Sequence, residues 1–184
     1  MARAAIFIAD GTEETEAITT IDLLRRAKID VDIISVMPTS EITASRGLRI
    51  IADDVLGTFG VDDYDMLILP GGVKGTENLN NTEYLKEQFT AYNNAGKGLA
   101  AICAAPTILG NWGLLGGKKA TCNPGFWEKL KETGAELDED SKVVVDGNII
   151  TSQAMGTSVD FGLAIVGYLL GAEEAAKLKA NIRF

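Results

Sequence analysis

The amino-acid sequence predicts an α/β fold, in which a mostly parallel sheet carries helices on both faces and one domain covers residues 1–184. Short apolar runs typical of buried strands alternate along the chain with stretches of helical periodicity, which is the pattern of βαβ units. The length of 184 residues suits one domain with a substantial core, and 46% hydrophobic and 23% charged residues are ordinary values for a globular protein.

Strands are predicted where short apolar runs stop at turn residues. The run over 66–69, for example, stops at Pro70-Gly71-Gly72, and a turn at Asp146-Gly147 joins the last two strands as a hairpin. In chain order, the predicted strands cover residues 3–8, 31–36, 42–44, 48–52, 66–69, 98–102, 119–122, 143–145 and 148–151.

Helices are predicted where apolar residues recur with a period near 3.6. Between residues 13 and 28, Ala17, Ile21 and Leu24 fall on one face in this way. The predicted helices cover residues 13–28, 82–95, from just beyond Cys103 to about 112, 126–132, 156–170 and 172–180. The acidic run 136–140 is interpreted as a solvated loop.

Composition excludes several classes of function. The net charge is −9, and no basic cluster exceeds a pair, so we expect neither specific binding to nucleic acid nor attachment to a membrane. The apolar stretch 4–9 is too short for a secretion signal or a membrane span, and two cysteines without a signal peptide indicate the reducing cytoplasm. The cysteines lack metal-ligand spacing, so no metal site is predicted.

Cys103 is the residue that most strongly suggests chemistry. It follows the apolar run 98–102 and precedes small residues and Pro106, as expected for a strand that passes a nucleophile to the start of a helix. The helix N-terminus is predicted to lower the thiol pKa. The chain contains no histidine, so a carboxylate, water or the backbone must handle protons. A buried structural cysteine is an equally good interpretation of this segment alone.

Two further segments are expected beside Cys103, because sites in parallel sheets lie beyond the carboxyl ends of the strands. Residues 11–16 include Glu16, whose carboxyl group could exchange a proton with the thiol. Alternatively, Glu13, Glu14 and Glu16 simply favour a helix N-terminus electrostatically, and the sequence leaves open which of the three differs.

Residues 70–75 form the other segment. Gly71 and Gly72 let the backbone approach a ligand, and with the N–H of Ala104 they could form an oxyanion hole. A plain turn after a strand is the alternative, and the segment matches neither phosphate-binding glycine motif. Cys122 is interpreted as structural rather than as a resolving thiol for Cys103.

Together these motifs resemble the ThiJ/PfpI superfamily, also called the DJ-one/PfpI family, and most closely its bacterial YajL-like branch. Each segment alone is a weak signal, but their order along nearly the whole chain is specific. The segments that carry the resemblance are residues 11–17, 20–24, 45–47, 69–75, 100–106, 151–153 and 156–162.

The resemblance implies a flavodoxin-like three-layer sandwich of the class I glutamine amidotransferase type, with a nucleophile-elbow cysteine and usually a homodimer. Cys103 falls on the family's reactive, easily oxidised cysteine, and Glu16 on the buried carboxyl that hydrogen-bonds it. Gly72 and Ala104 fall on the positions whose N–H groups form the oxyanion hole.

Four further positions follow from the same resemblance. Gly71 and Asn123 are expected to support the site, Arg46 matches an arginine that reaches the partner subunit's pocket, and Arg26 lies near that interface. Many relatives have a histidine where this chain has Asn123, which predicts slow catalysis because an amide cannot shuttle protons near neutral pH.

The implied function is a cofactor-independent glyoxalase or deglycase that protects against stress. Its substrates would be small carbonyl compounds, methylglyoxal-like 2-oxoaldehydes or their adducts, with Cys103 attacking the aldehyde and Glu16 moving a proton. The alternative is a redox sensor or chaperone in which Cys103 is oxidised to a sulfinate. An amidotransferase-like subunit is disfavoured, because that chemistry normally uses histidine.

Overall fold

Strands and helices alternate along most of the chain in the computed structural model, which describes residues 1–57 and 63–184. The strands are β1 (Arg3–Ile8), β2 (Asp30–Ser35), β3 (Glu41–Thr43), β4 (Arg49–Ile51), β5 (Asp54–Val55), β6 (Met66–Leu69), β7 (Gly98–Ile102), β8 (Lys119–Ala120), β9 (Glu136–Leu137), β10 (Val143–Asp146) and β11 (Ile149–Ser152). The helices are α1 (Glu14–Arg26), α2 (Val73–Asn80), α3 (Glu83–Asn94), α4 (Pro106–Asn111), α5 (Trp127–Glu132), α6 (Ser158–Leu170) and α7 (Ala172–Asn181).

The central sheet is mostly parallel, as predicted. Among the described residues its strand order is β10-β11-β7-β6-β1-β2-β5, and only β10 runs antiparallel to its neighbour. The hairpin β3–β4 forms a small separate sheet, and β8 pairs with β9 in another. Because β1, β6 and β7 are central and parallel, their carboxyl ends lie side by side at one edge.

Helices cover both faces of this sheet, so the layers are helix, sheet and helix. Successive residues of β1 alternate between two core clusters: Phe7 packs in the cluster that contains Phe89 of α3, and Ile6 packs in the cluster that contains Leu24 of α1. Helices α2 to α5 contribute to the first cluster, and α1, α6 and α7 to the second. No helix among the described residues is long and apolar enough to cross a membrane.

Helix α2 is absent from the sequence prediction, because it starts directly after Pro70-Gly71-Gly72 and only Gly75, Thr76 and Leu79 are buried. The prediction that the acidic run 136–140 is a solvated loop is also partly wrong. Glu136–Leu137 pairs with β8, and Asp138 accepts hydrogen bonds from Ser141. The two-residue strand β5 was not predicted either. Pairing with a neighbouring strand, rather than local pattern, forms the short strands β5 and β9.

Phe89 should be essential for the first core cluster. Its side chain is fully buried, and its ring lies 5.9 Å from that of Phe7 and 5.4 Å from that of Trp112. We expect Phe89→Ala to lower the free energy of unfolding by about 3–5 kcal/mol in urea titrations, because it leaves a cavity. Phe184→Ala is the control, since Phe184 is 49% exposed. Equal losses in the two variants would contradict this role.

Candidate active site at the carboxyl edge of the sheet

Cys103 lies in the turn that joins β7 to α4. Its φ angle is 66°, a left-handed conformation that is uncommon for any residue with a side chain. Two hydrogen bonds hold the backbone there: its N–H donates to the carbonyl of Ser152 (3.0 Å), and its carbonyl accepts from the N–H of Asn123 (2.8 Å). The thiol is therefore presented at the edge of the sheet, where it remains partly exposed.

The loops after β1 and β6 pack backbone to backbone beside this turn. The N–H of Glu13 donates to the carbonyl of Gly71 (2.9 Å). Gly72 has a φ of 94°, and a Cβ at this position would lie 2.6 Å from the nitrogen of Glu13. Glycine is needed at this point because no side chain fits between the two loops.

Glu16 reaches the thiol across Gly71. Its side chain is 1% exposed, and its Oε2 accepts a hydrogen bond from the N–H of Gly71 (2.9 Å). A Cβ at Gly71 would overlap Oε2 and would lie 2.5 Å from Cβ of Cys103. The carboxyl group and the thiol are thus neighbours only because Gly71 has no side chain.

The structure separates the three glutamates that the sequence left equivalent. Glu13 caps α1 by accepting the N–H of Glu16 (2.7 Å). Glu14 is buried and accepts from the Ser45 hydroxyl (2.7 Å) and from the N–H of Arg46 (2.8 Å). Of the three, Glu16 is the one whose side chain is hydrogen-bonded to Cys103, so it is the one placed to exchange a proton with the thiol.

Both partners of this pair have raised pKa values. Burial raises the pKa of Glu16 to about 7, although hydrogen bonds with Cys103 and Gly71 act in the opposite direction. Burial, followed by the charge of Glu16 and its hydrogen bond, raises the pKa of Cys103 to about 12. The prediction that the helix N-terminus lowers this pKa is wrong in net effect, because desolvation and a neighbouring carboxylate outweigh it.

Two backbone N–H groups nevertheless act on the sulfur. Hydrogen bonds from Gly72 and Ala104 lower the thiol pKa, so both groups are directed at a negative charge on Sγ. At neutral pH the carboxyl group of Glu16 is about half ionised, whereas the thiol keeps its proton, and the two groups titrate as a coupled pair. Transfer of that proton to Glu16 would leave a thiolate facing the two N–H donors.

A cavity of about 720 Å³ opens in front of Cys103. Gly72, Arg46 and Asn123 line it together with Cys103, whereas Ala104 is fully buried behind the turn. Its complete lining is Asp10, Gly11, Glu13, Thr43, Ala44, Ser45, Arg46, Gly72, Val73, Lys74, Cys103, Asn123 and Phe126. Lys74 belongs to the segment 70–75 that the sequence predicts beside Cys103, but no local pattern marks it as a site residue.

Asn123 and Cys122 have different surroundings although they are adjacent. The amide oxygen of Asn123 accepts the N–H of Gly125 (3.0 Å) and so caps a short 3₁₀ turn. Cys122 is fully buried in the cluster with Phe89, while Cys103 packs against the cluster on the other face of the sheet. This placement agrees with the structural interpretation of Cys122.

The two arginines lie in different places. Arg46 lines the cavity of its own chain, whereas Arg26 pairs with Asp22 (2.5 Å) and lines another groove of about 570 Å³. The exposed side chains of Ile18 and Phe184 line this second groove as well. Contact of either arginine with a partner subunit stays a prediction from the resemblance. Within residues 1–57 and 63–184, no cluster of acidic or cysteine side chains is suited to a metal ion.

Comparison with known proteins places these features in a family context. The sequence pattern of the DJ-1/PfpI family matches residues 2–167. "Protein DJ-1 homolog B" of Arabidopsis thaliana is 40% identical over 181 residues, which are 98% of this chain but 41% of that protein. "Glutathione-independent glyoxalase DJR-1.2" of Caenorhabditis elegans is 31% identical over 92% of this chain and 89% of its own length.

The structure of "Toxoplasma gondii DJ-1, oxidized" superposes with a TM-score of 0.94 at 31% identity, covering 100% of this chain and 99% of that chain. The flavodoxin-like fold is therefore confirmed. The assignment to the YajL-like branch stays a prediction.

Glu16 and Glu14 should affect stability with opposite dependence on pH. The folded-state pKa of Glu16 is raised from 4.5 to about 7, so its carboxyl destabilises the native state progressively as pH rises through this window. The Tm of Glu16→Gln minus the Tm of wild type should therefore increase by about 5 °C from pH 5 to pH 8.

Glu14 is the matched control on the same helix. Burial acts against its ionisation, but hydrogen bonds from Ser45 and Arg46 outweigh burial and hold its pKa below the usual value. Its carboxylate therefore stabilises the protein above pH 4.5, and the stabilisation is lost as pH falls. Thermal unfolding of Glu14→Gln should show a deficit at pH 8 that shrinks toward pH 4. Parallel curves for the two variants would contradict both assignments.

Proposed function

The chain belongs to the DJ-1/PfpI family, and on this premise we propose that it is a cysteine-dependent, cofactor-independent enzyme that converts methylglyoxal-like 2-oxoaldehydes, or their adducts, to hydroxy acids. The observation that carries the proposal is the pairing of Cys103 with the buried Glu16 in a cavity of about 720 Å³. A relative named as a glutathione-independent glyoxalase supports it. A role in protection against carbonyl stress follows from such an activity.

Attack of the thiol on the aldehyde is the first step. Above pH 7 the carboxylate of Glu16 accepts the thiol proton as sulfur bonds to the aldehyde carbon. The oxyanion that develops would lie near the N–H groups of Gly72 and Ala104, which are directed at the sulfur. It then takes the proton from Glu16, giving a hemithioacetal and restoring the carboxylate.

Proton transfer between adjacent carbons is the second step. Glu16 removes the proton from the former aldehyde carbon, and the electron pair forms an enediol with the neighbouring carbonyl. Glu16 then returns the proton to that neighbouring carbon, while the hydroxyl proton on the former aldehyde oxygen passes to the neighbouring oxygen, and the carbonyl so formed beside sulfur is a thioester. One carboxyl group thus serves as base and then as acid, which suits a pKa of about 7.

Hydrolysis of the thioester closes the cycle. Water adds to the thioester carbonyl, the thiolate of Cys103 leaves, and a proton returns to the sulfur and carboxyl pair. For methylglyoxal the sum is one aldehyde plus one water giving one lactate and one proton, with no external oxidant or reductant. No histidine is present and the side chain of Asn123 is engaged with Gly125, so we expect slow turnover.

A redox sensor or chaperone is the second candidate. Cys103 is partly exposed and two N–H groups are directed at its sulfur, an arrangement that would also stabilise an oxidised, anionic sulfur. A similar structure is described as oxidised in its name. In this candidate Cys103 is consumed by peroxide rather than regenerated.

Lactate formation distinguishes the two candidates. We expect the reduced protein to form many lactate molecules per chain from methylglyoxal, followed by NMR. Cys103→Ala and Glu16→Gln should each lose at least about 100-fold in rate, because each removes a group that handles the reacting atoms. Cys122→Ala, in the fully buried second cysteine, should keep the activity.

Consumption of only one methylglyoxal per chain, or full activity of the Cys103→Ala variant, would contradict the proposed enzymatic function. Oxygen addition at Cys103, detected by mass spectrometry after peroxide treatment of a protein without turnover, would support the sensor instead.

The rate should depend on the ionisation of Glu16. Because the carboxylate is the base, we expect kcat/KM for methylglyoxal to rise with pH around a midpoint of about 7, after subtraction of the uncatalysed reaction. Cys122→Ala should show the same profile. A rate that is flat from pH 5.5 to pH 8.5 would show that Glu16 is not the base.

A further inference from the structure

We infer that Lys74 and Arg46 make the Cys103 cavity selective for carbonyl compounds that also carry a carboxylate group. The reaction rests on the function proposed above, but the charge preference is a property of the cavity itself. The substrates would be 2-oxoaldehydes with a carboxylate at some distance from the aldehyde, and Lys74 would be the residue that determines this specificity.

Lys74 is held at the cavity by its own stem. It lies in the first turn of α2 and lines the same cavity as Cys103. Its Cβ and Cγ pack on Gly11, where an added Cβ would lie 2.6 Å and 3.1 Å from these atoms. Gly11 has a φ of 83° and leaves room for this contact. The apolar stem of Lys74 is thus fixed while its ammonium group stays in solvent.

Arg46 is anchored on another side through its backbone. Its N–H donates to the buried carboxylate of Glu14 (2.8 Å), which also bonds the hydroxyl of Ser45. Its guanidinium makes one long hydrogen bond, to the carbonyl of Ser45 (3.5 Å). The main chain of Arg46 is therefore positioned, and its charged end is left for a ligand.

The acidic and basic side chains of the cavity differ in which of their polar atoms are already engaged. Among the described residues, neither Lys74 nor Arg46 forms an ion pair with an acidic side chain. The acids that line the cavity are each engaged with a backbone donor: Asp10 accepts the N–H of Thr43 (2.8 Å), and Glu13 caps α1. The two acids keep their charge, but their oxygens are occupied, so Lys74 and Arg46 are the charged side chains of the lining that can pair directly with an anionic substrate.

The position of Glu16 limits where a substrate can carry its anion. Glu16 is negatively charged above pH 7 and adjoins the sulfur, so a carboxylate directly beside the aldehyde would be repelled. A carboxylate separated from the ketone by two methylene groups lies away from Glu16 and nearer the mouth of the cavity. The 2-oxoaldehyde 4,5-dioxopentanoate has this form and would give 2-hydroxyglutarate by the steps above.

Alkylation of Cys103 tests the charge preference without any turnover. The anionic reagent 3-(iodoacetamido)propanoate and its neutral carboxamide both transfer their acyl-methyl group to sulfur with loss of iodide, and the carboxylate of the first lies several bonds from the reacting carbon, away from Glu16. Rates at Cys103 are read by peptide mass spectrometry, and the ratio of the anionic to the neutral reagent is divided by that of a free thiol.

We expect the wild-type ratio to exceed the free-thiol ratio by about fivefold and to fall by about fivefold in Lys74→Met, with the excess lost at high salt. Lys86→Met is the control, because it removes the same charge from α3, where Lys86 pairs with Glu83. Equal ratios in wild type and Lys74→Met would overturn the inference.

A second experiment measures turnover and compares 4,5-dioxopentanoate with its neutral methyl ester. The ratio of the two kcat/KM values should favour the acid in wild type and should fall about fivefold in Lys74→Met but not in Lys86→Met. If neither compound turns over while alkylation depends on Lys74, the proposed function fails and the charge preference stands. If both turn over equally in every variant and alkylation ratios do not change, the preference fails and the proposed function stands.

Discussion

Close packing of two glycines against their neighbours is the constraint on which the site depends. Gly71 separates Glu16 from Cys103 without a side chain, and Gly72 lies against the loop that starts α1. Any Cβ at these positions would meet backbone or reacting atoms at 2.6 Å or less. The carboxyl group, the thiol and the two N–H donors can therefore lie in one small volume only because Gly71 and Gly72, in the loop after β6, have no side chains.

Burial then decides how the proton is distributed in that volume. A helix N-terminus stabilises an anion by about 0.3–1 kcal/mol, with an upper range near 2 kcal/mol, whereas full desolvation shifts a pKa by up to about 3–5 units. Desolvation therefore dominates, and both Glu16 and Cys103 favour their neutral forms more than they do in water. The thiol therefore keeps its proton at rest, and Glu16 is the partner that gains or loses a proton near neutral pH.

The local pattern of apolar residues was sufficient to predict those strands and helices that bury one or both of their faces in the core. Strands β1, β6 and β7 have continuous apolar runs, and α1 has a clear apolar stripe, so their predicted positions agree with the structure to within two residues. Helix α2 was missed because it follows two glycines and includes a third, Gly75, whose backbone packs on Thr12. Its stability comes from packing, through that contact and through Leu79 in the first core cluster, rather than from the helix propensity of its residues.

The sequence by itself determined the class of fold and the cysteine at the end of a central strand, because hydrophobic periodicity and turn residues are local signals. It also brought Glu16 into consideration, since the carboxyl ends of parallel strands meet at one edge. Local pattern left three neighbouring glutamates equivalent and only the resemblance pointed to Glu16, whereas the contact of Glu16 with the thiol, the raised thiol pKa and the position of Lys74 in the same cavity are visible only in the tertiary structure. These depend on distances between loops far apart in the chain, and no local pattern encodes such distances.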